Sequence, residues 1–511
     1  MEYFSANFKR PIFFVLALAW IAATASGGAS ATDLIIQNVT LISPERAAPL
    51  HNATVSIHDG RIEQVFDHVP ASVAGIPVLD GTGLYLTPGL MDSHLHTAVI
   101  PGLGFHGGER AEKFAAMTAL YEQQFERSVL YHGVTQFLDP AAFPALLQRS
   151  REREMAPDIF FCGAAPLATG YPALFMDPSA IEYSLPYRVY ETAPAGSPPD
   201  GVDLSRHSPE AVVRRMADDG AICLKLFFED GWDMRSDWPM LSEDSVERMV
   251  RAAHAANLKV VAHANALDMQ QLAVKSGVDV LGHGLWNWNQ YRDHQGIPEE
   301  IRQHLGGVRA AGIGYQPTLR VMYSMRELFT PGMLDNPALK KVVPAALLDW
   351  YRSDAAQAFK QELAHEDFED LPDERIVTVM GRTISQSERS LAYVAESGHR
   401  LLLASDHPAT PGHANHPGLS SYQELVHMAE LGVPLAKLLA AATINNAEMF
   451  GLDDRYGSIE PGKIANLLLL ESSPLESVKA YDRIRWVVLR GRAIARDELA
   501  ADYNLGQSEL D

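Results

Sequence analysis

His94 and His96 stand one residue apart at the end of the apolar run "LTPGLMDSHLHT", just after Asp92. Side chains alternate faces along a strand, so both imidazoles project to one side and can converge on a point. The pair by itself is equally readable as two hydrogen-bonded histidines at a strand end. Binding a divalent cation would need more ligands, and four candidates lie downstream. They are Lys225 in "ICLKLFF", His263 in "VVAHA", His283 in "GVDVLGHGL" and Asp406 in "LLLASDHP". Each has a structural alternative: His263 as a satisfied core histidine, Lys225 as a lysine whose ammonium snorkels to a rim. Their coincidence at the ends of different apolar runs points to a metal site.

Those runs are the elements that must position the ligands. Eight strand candidates follow in order: residues 90–96, 134–139, 158–164, 221–228, 259–264, 278–283, 312–319 and 400–406. Helical patterns fill the gaps, including "SEDSVERMVRAAHAANL" with Ser242 as N-cap and acids in its first turn. The alternation predicts an α/β chain, a (β/α)8 TIM barrel over residues 89–449 whose C-terminal strand ends form the site face. Residues 287–397, too long for a simple connection, read as a mostly helical insertion over the mouth, and their acidic run "HEDFEDLPDE" as a solvated surface.

Both flanks are β-rich. The runs "DLIIQNVTLI" and "ATVSIHDGRIEQVF", with an Asp59-Gly60 hairpin signature, are answered near the C-terminus by "RIRWVVLRGRAIA". Residues 32–88 and 450–511 are expected to form one composite β-sandwich domain. Residues 1–31 read as a cleaved signal peptide: Lys9 and Arg10 precede an apolar run and Ala29-Ser30-Ala31 supplies a cleavage site. The run from Pro11 to Ala23 is short of the roughly 20 residues a membrane span requires. The mature protein is therefore expected in the periplasm or secreted, with no membrane attachment.

The 511 residues, 47% hydrophobic and 21% charged, suit a large globular enzyme. The formal charge of −22 becomes −23 once Glu2, Lys9 and Arg10 leave with the signal peptide, and such a surface excludes nucleic acid as a natural partner. The two cysteines, Cys162 and Cys223, fall in separate strands and are expected as packed free thiols rather than a zinc site.

Here the chain resembles the amidohydrolase superfamily, over almost all of the mature sequence. The resemblance rests on "PGLMDSHLHT", "GVTQFLDP", "VVAHA", "GVDVLGHGL", "LLLASDHP", "ATINNAEMFGL" and "GSIEPGKIANLLLL". It is nearest to the imidazolonepropionase-like and prolidase-like members. The resemblance implies that His94, His96 and Asp406 hold one divalent ion, His263 and His283 a second, and Lys225 bridges both as a carbamate. The apolar surroundings of Lys225 agree, since desolvation favours a neutral amine able to capture carbon dioxide. Two departures stand out: Gly282 precedes His283 where many relatives have an acid, and Asn466 replaces an aspartate.

Two such ions, zinc by ligand type although manganese, iron or nickel suit the same donors, would generate a bridging hydroxide and polarise a carbonyl. Asp406 would then carry a proton to the departing nitrogen. The expected reaction is hydrolysis of an amide, peptide or cyclic-amide C–N bond in a small molecule. Two rivals are a mononuclear deaminase of the same fold, which usually lacks the strand-four lysine, and an inactive scaffold member, which usually lacks ligands. Loop residues Tyr171, His207, Trp286, Trp288, Tyr315 and Arg320 are candidate substrate contacts, with packing as the alternative for the tryptophans. Arg320 would pair with a substrate carboxylate or neutralise the acidic insertion. His407, His413 and His416 are read as supporting or surface residues, and homo-oligomerisation is left open.

Overall fold

The structure is a computed structural model that describes residues 33–70, 75–176, 181, 183–191, 201–231, 236–408 and 412–503. The signal-peptide expectation, residues 1–31, lies outside the described residues. In chain order the strands are β1 (Leu34–Leu41), β2 (Leu50–His58), β3 (Arg61–Phe66), β4 (Val78–Asp80), β5 (Tyr85–Pro88) and β6 (Leu90–Asp92). A short hairpin follows, β7 (Val99–Ile100) and β8 (Gly104–Phe105), then β9 (Val134–Asp139), β10 (Asp158–Ala164), β11 (Cys223–Phe227), β12 (Lys259–His263), β13 (Val280–Leu281) and β14 (Gly314–Tyr315). The last three are β15 (Leu467–Leu470), β16 (Ile484–Leu489) and β17 (Arg492–Ala495).

The flanks pair as expected, but into one sheet rather than a sandwich of two. Its eight strands run β17-β16-β15-β5-β1-β2-β3, with β4 beside β1. The seam between the two ends of the chain is the antiparallel pair β5–β15, with Leu86 opposite Leu469. The run "LLLL" of β15 shows why no second sheet is needed. Leu467 and Leu469 join a core with Ile36, Val55 and Leu86, whereas Leu468 and Leu470 point the other way into the main core. Both faces are thus buried. Asp59 and Gly60 turn the β2–β3 hairpin at positive φ, as their sequence signals.

The central unit is a curled parallel sheet of seven strands, β14-β13-β12-β11-β10-β9-β6. The eighth candidate, residues 400–406, is not a regular strand. Its backbone nevertheless reaches both sheet edges: Leu402 N–H donates to Tyr315 (3.0 Å), Ser93 N–H to Leu403 (2.9 Å) and Asp406 N–H to His94 (2.7 Å). Inside the curl, Met91, Leu138, Cys162, Cys223, Val261, Val280 and Leu402 pack on Met449, Phe450 and Tyr456. This apolar layer is the floor of the site, because Lys225 and His263 lie two residues beyond Cys223 and Val261 on the same face.

Amphipathic helices cover the outside. In Glu243–Ala255, Ser242 Oγ accepts the Ser245 N–H and the buried side chains Val246, Met249, Val250 and Ala253 recur at helical spacing. The insertion is helical as expected, its longest members being Asp354–Phe368 and Asp373–Glu396. Among the described residues no helix is long and apolar enough to cross a membrane.

The cysteines depart from expectation. Cys162 and Cys223 are register partners on β10 and β11, their Cα atoms 4.3 Å apart, and they form a disulfide. Separate strands misled the sequence reading, because only the register shows that the two thiols face each other. Alkylation of the denatured, unreduced chain should label neither cysteine. Replacing both by alanine should cost about 4 kcal/mol in urea unfolding, given the 61-residue separation.

Candidate active site and metal centre

The strand ends bring five of the six predicted ligands into a buried cluster, with His96 partly open at its edge. Asp406 sits at its centre, in a left-handed backbone conformation (φ 48°). Its Oδ1 lies 3.1 Å from His96 Nε2 and 3.5 Å from His94 Nε2, and its Oδ2 lies 3.3 Å from His283 Nδ1. Lys225 Nζ is 3.4 Å from His94 Nε2, and His263 Nδ1 is 2.7 Å from His283 Nε2.

The outward ring nitrogens decide what the inward ones offer. Gln316 gives its Nε2 to the carbonyl and hydroxyl of Ser93, so its Oε1 accepts from His94 Nδ1–H at 3.0 Å. The Glu229 carboxylate accepts from His263 Nε2–H at 3.2 Å. Thr318 Oγ1 and Asp406 Oδ2 both meet His283 Nδ1, and Asp139 Oδ1 is 3.6 Å from His96 Nδ1. A neutral imidazole with one nitrogen donating presents a lone pair on the other. His94 Nε2, His263 Nδ1 and His283 Nε2 are therefore all lone-pair donors. Those of His263 and His283 oppose each other at 2.7 Å, an arrangement that repels unless a cation lies between them. The ligand atoms of His94, His96 and Asp406 likewise lie within 4.8 Å of one another. This donor set fits divalent metal ions.

The electrostatics of His94 and His283 agree. Burial, then the nearby Lys225, holds His94 well below the usual imidazole range; burial and His263 do the same for His283. Burial also opposes charging His96, but Asp139 and Asp406 outweigh it and push the group up to about 9. For Asp406 burial would raise the pKa, yet the facing His94, His96 and His283 hold it well below the ordinary carboxylate value. Lys225 is lowered to about 7 by burial, against the pull of Asp406.

Of the predicted substrate contacts, Tyr171 stands with its ring 4.6 Å from that of His263, and Trp286 with its ring 4.8 Å from that of His283. Tyr315 is buried behind the site, its hydroxyl accepting the Leu285 N–H. Arg320 is buried under the insertion, both terminal nitrogens on the Glu327 carboxylate and one also on the Ala414 carbonyl. His207 lies away from the cluster, its Nδ1 2.8 Å from the Arg188 carbonyl and its ring against Tyr190. Trp288 is wholly buried, bonded to Ser390. His407, His413 and His416 are buried rather than on the surface.

Gln316, Thr318, Asp139 and Glu229 were missed by the sequence reading. Polar residues in apolar strand-end runs, as in "GYQPT" and "VTQFLDP", were the available signal. Gly282, noted as a departure, has a steric reason. A Cβ there would lie 2.9 Å from Lys225 Nζ and 2.9 Å from the Ala262 carbonyl oxygen. The missing side chain keeps space beside the lysine head. Gly282→Ala should therefore lower stability by about 1–3 kcal/mol and reduce bound metal in elemental analysis.

Residues 370–494 match the Amidohydrolase family. A solved prolidase complexed with N-methylphosphonate-L-proline is 20% identical, with a TM-score of 0.64, over 91% of this chain and 100% of that one. Molinate hydrolase is 19% identical (TM-score 0.62; 92% and 96% covered), and A. niger ochratoxinase 19% (0.61; 91% and 96%). Identities this low speak for the shared fold. No curated protein sequence matches the chain. The family match over those residues and the shared fold agree with the motifs that resemble the amidohydrolase superfamily.

Proposed function

We propose that this protein is an exported amidohydrolase of the imidazolonepropionase-like and prolidase-like kind, hydrolysing a C–N bond in a small amide, peptide or cyclic amide. The observation that carries the reading is the gathering of four oriented imidazoles around Asp406 and Lys225 in one buried cluster. His94, His96 and Asp406 would hold one divalent ion, zinc by donor type, and His263 and His283 a second, with Lys225 between them as a carbamate. Ions so held would supply a water of lowered pKa and polarise a carbonyl. The barrel is completed in this reading by residues 400–406 as its eighth strand, residues 89–449 forming the catalytic domain and the two termini the sheet domain. Export rests on the signal-like residues 1–31 alone.

Asp406 carries the proton traffic. Its carboxylate, held ionised by three imidazoles, can accept a proton from the attacking water and return it to the departing nitrogen, which must leave as an amine. Asp406→Asn should keep the fold while turnover falls about a thousandfold, measured with the substrate found by screening N-acyl amino acids, dipeptides and small cyclic amides.

Lys225 discriminates the two-ion reading from its rivals. The wild-type chain should contain close to two divalent ions, and Lys225→Ala should lose one together with nearly all activity. Acetate or propionate should partly restore both by entering the vacated space, and neither should help Lys225→Arg, which keeps the charge and fills the cavity. A content near one ion, unchanged by metal and bicarbonate, would favour the mononuclear deaminase.

A further inference from the structure

One side of the metal centre is walled by aromatic rings. Tyr171 and Phe227 lie 4.6 and 5.8 Å, ring to ring, from His263. Trp238 is parallel to Tyr171 at 6.0 Å, and Phe175 meets Trp238 edge-on at 5.0 Å. The wall opens outward: Phe227, Tyr171 and Trp238 are part-buried, and Phe175 is 50% exposed. Large rings left partly in water beside a buried cluster are surface that a bound apolar group would cover.

A polar feature accompanies them. Glu229, only 3% exposed, uses Oε2 twice, for His263 Nε2 and for Asn265 Nδ2 at 2.6 Å. Its Oε1 is buried and has no hydrogen-bond partner among the described residues. A buried carboxylate oxygen left unpaired carries a desolvation penalty that an incoming donor relieves, most strongly a cationic one. Asp230 follows directly and adds negative charge, while aromatic faces attract cations.

We propose that Tyr171, Phe175, Phe227, Trp238 and Glu229 form a substrate subsite for a group that is both apolar and cationic: a primary ammonium on a bulky hydrocarbon or aromatic side. The ammonium donates to Glu229 Oε1 and the hydrocarbon lies on the rings. The proposal rests on the hydrolase reading for its role but not for its test, which measures binding. Substrates of the enzyme would then carry a free amino group on the bulky apolar portion that lies against these rings, and N-acylation of that amine would abolish the fit.

The test is calorimetric titration of the metal-loaded protein with 2-phenylethylamine and with its neutral isostere 2-phenylethanol. The amine should bind about tenfold or more tightly than the alcohol. Glu229→Gln should remove that preference, and Trp238→Ala should weaken both ligands while leaving their ratio in place. Circular dichroism checks that each variant folds. Equal affinities in the wild type, or a preference that persists in Glu229→Gln, as direct binding of the amine to metal would give, overturns the proposal. A preference that depends on Glu229 in a protein that hydrolyses no amide would instead retain the subsite and defeat the hydrolase reading.

Discussion

The site depends on how its histidines are held from behind. An imidazole is a metal ligand only at the nitrogen whose lone pair is free, and the partner of the opposite nitrogen decides which one that is. Here the partners come from other strands: Gln316 beyond β14 for His94, Thr318 for His283, Glu229 beyond β11 for His263. Every orientation is therefore a statement about the whole curled sheet. Asp92 holds that sheet together at its weakest point, between β6 and residues 400–406. Its Oδ1 accepts the N–H of His94 and of Ser405, and its Oδ2 the hydroxyl of Ser421. Burial pushes this carboxyl up to about 6, and those same hydrogen bonds restrain the shift. The aspartate two residues before His94 serves the candidate metal site by fixing the ends that carry it.

Beneath the ligands lies the apolar layer that makes Lys225 unusual. Met91, Val261 and the disulfide of Cys162 and Cys223 occupy the inside of the curl one layer below. No water or counter-charge from that side can stabilise an ammonium, so burial lowers Lys225 to about 7. Gly282 leaves open the space beside the same head. Apolar floor and missing side chain together favour the neutral form of the amine and leave room beside it.

Above the ligands, the insertion forms its own core rather than a substrate clamp. Trp286, Val321, Met322, Phe329, Ile376 and Met380 pack together, and Arg320 is spent on Glu327 within this layer. Glu424 caps the same helix start by accepting the N–H of Leu319 and Arg320, and burial pushes it up to about 8. The part-exposed rings lie instead around His263.

The sequence by itself determined the candidate ligand types, their order and their placement at the ends of apolar runs, because strand periodicity and hydrophobic patterning are local properties. It also carried the pairing of the two terminal β regions and the helical character of the insertion. Tertiary structure alone decided what depends on register between distant segments. Cys162 meets Cys223 because β10 and β11 align them, and Arg320 reaches the Ala414 carbonyl because the fold brings the loop after residues 400–406 against its helix. Glu229, Gln316 and Thr318 became part of the site in the same way: a polar residue in an apolar run has no address until the strands beside it are known. The single terminal sheet follows the same rule, since the second face of β15 found its cover in the central unit instead of in another sheet.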